Sequence, residues 1–220
     1  MPKVAYHADI SAMSGKQGDQ VYSQTRNGAV RKSRVIPTNP NTPAQASSRG
    51  NFAVATVAYS QMGASLLLQW EAYAASLRVT DPITGRAYSP APGTVYTGLT
   101  SKYLQVNAGG APPLLPPKSA FTGDTITVSA SGLASHVTFT ASAANATNVV
   151  TELMVQKLPN TNRKPAKGQD RPVGFAAFAG TELTQTVPLP AGRYSCAYRF
   201  VNKDTGQMTS IVGIEIVIVT

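Results

Sequence analysis

Beyond Pro117 the apolar side chains of this chain recur at every second position: Ile126, Val128 and Ala130, then Val137, Phe139 and Ala141, then Thr151, Leu153 and Val155. Tyr194, Cys196, Tyr198 and Phe200 repeat the spacing, and the run 211–219 extends it. A period of two sends successive side chains to opposite faces of a strand, so each segment has one face to bury. Several such segments separated by turns predict a small antiparallel β-sandwich over 118–220.

The string Val187-Pro-Leu-Pro-Ala-Gly-Arg-Tyr194 resembles the strand, Gly turn and Tyr that open a late strand in immunoglobulin-like and fibronectin-like modules. Upstream, Pro112, Pro113, Pro116 and Pro117 mark a linker at 112–117, stiffened toward polyproline II. Before it the periodicity is helical. Thr42-Pro43-Ala44-Gln45 reads as a helix start, with Thr42 as N-cap, Pro43 at the first helical position and Gln45 completing a capping box. The helix predicted over 43–62 places Phe52, Ala55, Thr56 and Tyr59 on one face. A second, over 64–77, carries Leu66, Trp70, Tyr73 and Leu77 as an amphipathic stripe. With only Gly63 to break them, the two are expected to pack antiparallel as a helical hairpin. The stretch 80–111 is rich in Gly and Pro, with a short helix or strand at 100–106.

The first 42 residues are of another kind. Residues 20–26 and 29–36 flank Asn27-Gly28, the dipeptide that suits a type I′ turn, which predicts a short basic hairpin. Its large apolar residues are few, and an isolated two-stranded hairpin is marginal in water, so it needs another surface to lie on. Pro37, Pro40 and Pro43 then force extended backbone. Charge follows the same division. The chain carries 19 Lys+Arg against 10 Asp+Glu. Residues 1–50 hold seven of the basic residues against Asp9 and Asp19 alone. Such an excess favours an acidic or anionic partner.

Enzyme chemistry finds little support. His7 and His136 are the two histidines, and neither has a carboxylate, cysteine or second histidine at metal-ligand spacing. Gly15-Lys-Gln-Gly18 and Gly109-Gly110 lack the spacings of phosphate-binding loops, and there is no Gly-x-Ser-x-Gly elbow. Glu71 beside Trp70 is the best single acid/base candidate, read as an exposed helix carboxylate. The single cysteine, Cys196, excludes an intramolecular disulfide and reads as core between Tyr194 and Tyr198. No catalytic, metal or cofactor site is predicted. The start of the chain lacks the apolar region of a secretory signal and the apolar run near 211–219 is too short to span a bilayer, so no membrane association is expected.

The string Gly28-Ala-Val-Arg-Lys-Ser-Arg-Val-Ile-Pro-Thr-Asn-Pro-Asn-Thr-Pro-Ala-Gln45, followed by Arg49, Phe52 and Gln69-Trp70-Glu-Ala-Tyr73, resembles a group of proteins encoded by tailed bacteriophages and prophages. The likeness covers roughly residues 10–107. It implies a virion structural role and carries no catalytic residues. On this reading the fold is α+β, mainly β: a basic extended arm with a β-hairpin (1–42), a helical hairpin with a Gly/Pro-rich segment (43–111), the linker (112–117), and an immunoglobulin-like antiparallel β-sandwich (118–220). The protein is expected to be made in the host bacterial cytoplasm and carried in the particle as a capsid-associated minor, cement or decoration protein. A neck, tail or baseplate component is the alternative in the same class. Its partner would be the major capsid protein or another virion protein, with self-association open. The partner-binding candidates are Tyr22, Arg26, Arg31, Lys32, Arg34, Asn39, Pro40, Thr42 and Arg49. A second basic cluster, Arg163, Lys164, Lys167 and Arg171, reads as a solvated loop. The rival class is a basic DNA-associated protein, since basic ribbons with an aromatic residue can follow a phosphate backbone.

Overall fold

The computed structural model describes residues 14–25, 28–36, 41–80, 85–160 and 162–220. The chain divides into two units, Met1–Thr42 and Pro43–Thr220.

The first unit holds a three-stranded antiparallel sheet of β1 (Gly15–Gln17), β2 (Gln20–Thr25) and β3 (Gly28–Ser33), in the order β1-β2-β3. The expected hairpin is β2 and β3; Arg26 and Asn27 of its turn lie outside the described residues. The added strand β1 turns back through Gly18, whose φ of +56° suits glycine. No described residue of this unit is buried, and Val21, Tyr22 and Val30 are only half-buried.

The second unit opens with α1 (Pro43–Ser60) and α2 (Ala64–Ser76). A two-residue-strand hairpin follows, β4 (Val79–Thr80) with β5 (Ala87–Tyr88), and then α3 (Pro92–Val106). The start of α1 at Pro43 follows from a proline tolerated in the first helical turn. The packing differs from the predicted hairpin, because α1 and α2 each pack chiefly on α3. Gly93, Thr94, Thr97 and Gly98 are weak helix formers, which hides α3 from its sequence. Burial of Tyr96, Thr100 and Leu104 holds it instead. Trp70, only 1% exposed, meets Tyr96 edge-on at 5.0 Å between ring centroids and Tyr73 edge-on at 5.8 Å, with Met62 completing the cluster. Its indole N–H donates to the Leu114 carbonyl at 2.9 Å, and Pro117 is buried. The proline-rich stretch is thereby fastened to the helices.

Seven strands build the sandwich: β6 (Val128–Leu133), β7 (His136–Ala141), β8 (Val149–Leu158), β9 (Arg171–Ala176), β10 (Thr184–Pro188), β11 (Gly192–Asn202) and β12 (Val212–Val219). They form two antiparallel sheets, β10-β7-β6 and β12-β11-β8-β9. The first, second and fifth strands share one sheet and the others the second, an immunoglobulin-like arrangement. Inward residues of both sheets make the core, among them Val137, Phe139, Leu153, Val155, Tyr194, Cys196, Tyr198, Phe200, Val217 and Val219. Tyr194 sits as expected from 187–194: its hydroxyl donates to the Pro190 carbonyl at 2.8 Å, the tyrosine corner of this architecture. Where β6 runs beside β12, a side chain at Gly132 would overlap the Ile218 carbonyl, so only glycine fits there.

The helix α3 covers the outer face of the four-stranded sheet at β8 and beside the end of β11. Asn107 Nδ2 donates to the Lys203 carbonyl at 2.7 Å, and Gly206 passes so close to the Leu99 carbonyl that it has no room for a Cβ. In consequence β8 is buried on both faces from Val149 to Val155. No helix among the described residues is long and apolar enough to cross a membrane.

Candidate interaction surfaces

The register of the N-terminal sheet decides which cations act together. Gly15, Tyr22 and Arg31 form one cross-strand row, and Lys16, Val21 and Lys32 the next. Adjacent rows face opposite sides of a sheet, so Arg31 stands beside Tyr22 on one face while Lys16 and Lys32 flank Val21 on the other. Arg34 follows β3 and is exposed, its backbone N–H bonded to the Asp19 carbonyl at 2.7 Å. The structure thus brings Tyr22, Arg31 and Lys32 onto one small sheet with cations on both faces, and Arg34 directly follows it. Arg26, Asn39 and Pro40 lie outside the described residues. Thr42 is exposed at the end of this unit, and Arg49 belongs to α1 of the second.

Sequence reasoning missed the strongest electrostatic feature. Glu152 of β8 is 0% exposed. Its Oε1 accepts from Lys102 Nζ of α3 at 2.9 Å, and its Oε2 from Arg199 Nε of β11 at 2.6 Å. Lys102 Nζ also donates to Gln105 Oε1 at 2.6 Å and lies 5.5 Å from the Phe175 ring centroid. Burial pulls the Lys102 ammonium below the usual lysine range; the bond to Glu152 and its charge oppose that, and Arg199 adds to it. This knot clamps helix to sheet and offers no open position to a substrate. The available signal was Val150 and Met154 flanking Glu152 on the same face of β8, an apolar stripe on the side a two-layer sandwich leaves to water.

Between α1 and α3 runs an open groove of about 550 Å³ lined by Phe52, Thr56, Tyr59, Gly93, Thr97 and Ser101. The predicted α1 face therefore needs correction. Ala55 is buried and Tyr59 half-buried, whereas Phe52 is 58% exposed and Thr56 faces out. At Gly93 the small residue lets the Tyr59 ring approach so closely that an added Cβ would lie 3.1 Å from it. A second cleft of about 540 Å³ opens between α2 and the sandwich, beside Tyr73, Leu99, Phe121 and Gln207. Burial raises the Tyr73 phenol, partly offset by its hydrogen bond with Gln207.

The candidates for chemistry are dispersed. Cys196 is wholly buried in the sandwich, and desolvation pushes its thiol up to about 12, the opposite of what a nucleophile requires. His136 is half-buried opposite Leu133 and Pro188, and Glu71 is exposed on α2. His7 lies outside the described residues. Among the described residues no three His, Cys, Asp or Glu side chains gather as a metal site.

No protein-family model and no curated protein matches the chain. Among solved structures it is similar to CBM33 of Bacillus amyloliquefaciens, determined in complex with Cu(I) after photoreduction, with a TM-score of 0.29 and 21% identity over 42% of this chain. That match spans 56% of the other chain, little over half its length. It is also similar to the PmoD soluble domain of a Methylocystis species (strain Rockwell), with a TM-score of 0.26 and 13% identity over 46% of this chain and 95% of that one. No functional residue is carried across from either.

Proposed function

We propose that the chain is a non-enzymatic structural protein of a tailed-phage particle, associated with the capsid as a minor, cement or decoration protein and anchored through its basic N-terminal segment. The observation that carries this reading is the sheet of 15–33, which with the adjoining Arg34 presents Lys16, Arg31 and Lys32 yet buries no described side chain. A sheet of this size without a core gains its stability from a surface it binds. Its cations call for an acidic one, and Tyr22 beside Arg31 supplies the kind of aromatic and arginine anchor that interfaces favour. The resemblance of 28–45 to phage-encoded proteins supplies the particle.

The test is quantitative mass spectrometry of purified, nuclease-treated particles, reporting copies relative to the major capsid protein. A simple lattice fraction is expected. A handful of copies would move the protein to the neck, tail or baseplate, and absence would refute the structural role in favour of DNA association. Binding led by phosphate contacts would also weaken steeply with salt, whereas docking that buries Tyr22, Val21 and Val30 would survive moderate salt.

A further inference from the structure

Arg49 and Arg171 are far apart in the chain, one in a helical stretch and one at the end of a basic loop. The fold brings them together. Arg49, with Ala44, Gln45 and Ser48 of α1, and Arg171, with Pro172 of β9, line a single open groove of about 520 Å³. The β8–β9 connection that leads into Arg171 is held to the sheet where the Ala166 N–H donates to Gln156 Oε1 at 3.1 Å. It carries exposed Arg163, Lys164 and Lys167, against the half-buried Asp170 as its one carboxylate. The groove thus joins Arg49 of α1 to Arg171, the last residue of the basic stretch 163–171.

We propose that this groove is a docking site for a carboxylate-bearing segment of an acidic protein partner. Arg49 and Arg171 engage its carboxylates, and the loop cations draw it in. An arginine fork matches a carboxylate with two parallel hydrogen bonds. Nucleic acid fits less well. Neither the groove's described lining nor the stretch 159–172 contains an aromatic ring to stack a base. A concave groove of this size also admits a peptide side chain more readily than the convex face of a duplex. The site lies wholly within the second unit and does not depend on the N-terminal anchor.

Fluorescence anisotropy on the full chain tests this, with a labelled alternating Asp-Glu peptide as probe and single-stranded and duplex oligonucleotides of matched charge as competitors. Arg49→Gln with Arg171→Gln is expected to weaken peptide binding at least roughly tenfold, the loss of one to two charge-assisted hydrogen bonds. Arg31→Gln with Lys32→Gln in the N-terminal sheet is expected to change it less than about twofold. Equal peptide affinity in the groove variant and wild type would overturn the proposal, as would no peptide binding by the wild type. So would tighter oligonucleotide binding that the groove variant loses. If the double variant melts early, Arg171→Glu alone, at an exposed position of an edge strand, carries the same comparison.

Discussion

Replacing Glu152 with alanine puts the helix-to-sheet clamp to a quantitative test. The carboxylate is fully buried, and each of its oxygens holds one cation. Breaking a buried pair by removing one partner costs about 3–5 kcal/mol, because the remaining charge stays in the interior. The two cations do not suffer equally. The Arg199 side chain keeps 21% of its surface exposed and can turn toward water, whereas that of Lys102 keeps 9% and cannot. The loss therefore sits at the lower end, about 3 kcal/mol, or roughly 6–12 °C in melting temperature for a chain of this size. Its pH dependence has a definite sign. Burial already lowers the Lys102 pKa from its unfolded value, and removing Glu152 removes the influences that oppose the shift. Below the depressed folded pKa the variant must keep a buried charge. As pH rises through it toward the unfolded lysine value, the unfolded chain binds more protons than the folded one and relative stability recovers. Thermal melts at neutral and alkaline pH should show the gap between variant and wild type narrowing as pH rises. Replacing all three residues, as Lys102→Met, Glu152→Leu and Arg199→Met, should restore most of the loss. A Glu152→Ala variant within about 1 kcal/mol of wild type, or a gap that widens with pH, would refute a carboxylate buried between helix and sheet.

Trp70→Ala should destabilise the second unit by about 3–5 kcal/mol in chemical denaturation, since it empties the aromatic cluster around Tyr96. Tyr194→Phe deletes only the hydroxyl bonded to Pro190, so the same assay should register about 1 kcal/mol. Cys196 should resist alkylation in the native protein at pH 8 and react at once in denaturant. With its thiol raised from 9.0 to about 12, its contribution to stability is complete below pH 9 and declines up to about pH 12, by at most about 1.4 kcal/mol per unit. Arg31→Glu, Lys32→Glu and Arg34→Glu together should abolish incorporation into particles while shifting the main melting transition by less than about 0.5 kcal/mol, because these side chains are exposed in a separate unit.

What could be read in advance follows the exposure of each element. The strands with clear alternation, β6, β7, β8 and β11, have one face in the core, and their inward residues are those the period of two selects, whereas β12 is legible only as an apolar run. The strand that escaped notice, β9, and β10, marked only at its end by Val187-Pro, lie at sheet edges, as do β6 and β12, but carry the least apolar alternation. Edge strands tolerate Pro172 and Gly174 and keep polar side chains, so Arg-Pro-Val-Gly-Phe-Ala and Thr-Gln-Thr-Val-Pro carry little pattern. Stripe and cap located α1 and α2, whereas α3 owes its helix to partners distant in sequence. The basic candidates were legible as composition. The opposite facing of Arg31 and Lys32 follows from the alternation of β3 itself, whereas the place of Lys16 beside Val21 was hidden, because it requires β1, a strand too short and too polar to stand out.

Glu152 shows how the layers of the second unit depend on one another. In a sandwich of two sheets alone, the outer face of β8 would be wet, and Val150, Glu152 and Met154 would read as one acidic residue between two tolerated apolar ones. Once α3 covers that face, the carboxylate loses its water and must be paired; Lys102 and Arg199 do so from the two sides. A helix layer that arrives with its own counter-ion is specified in position as well as in contact, since sliding α3 by one turn would separate Lys102 from Glu152 and leave both charges buried. Among its described residues the sheet of 15–33 has no such ion pair and no buried side chain. The second unit therefore has the means to hold its own geometry, and the first has reason to take a partner's. The proposed function rests on that difference, with the second unit as the folded body and the first as its anchor.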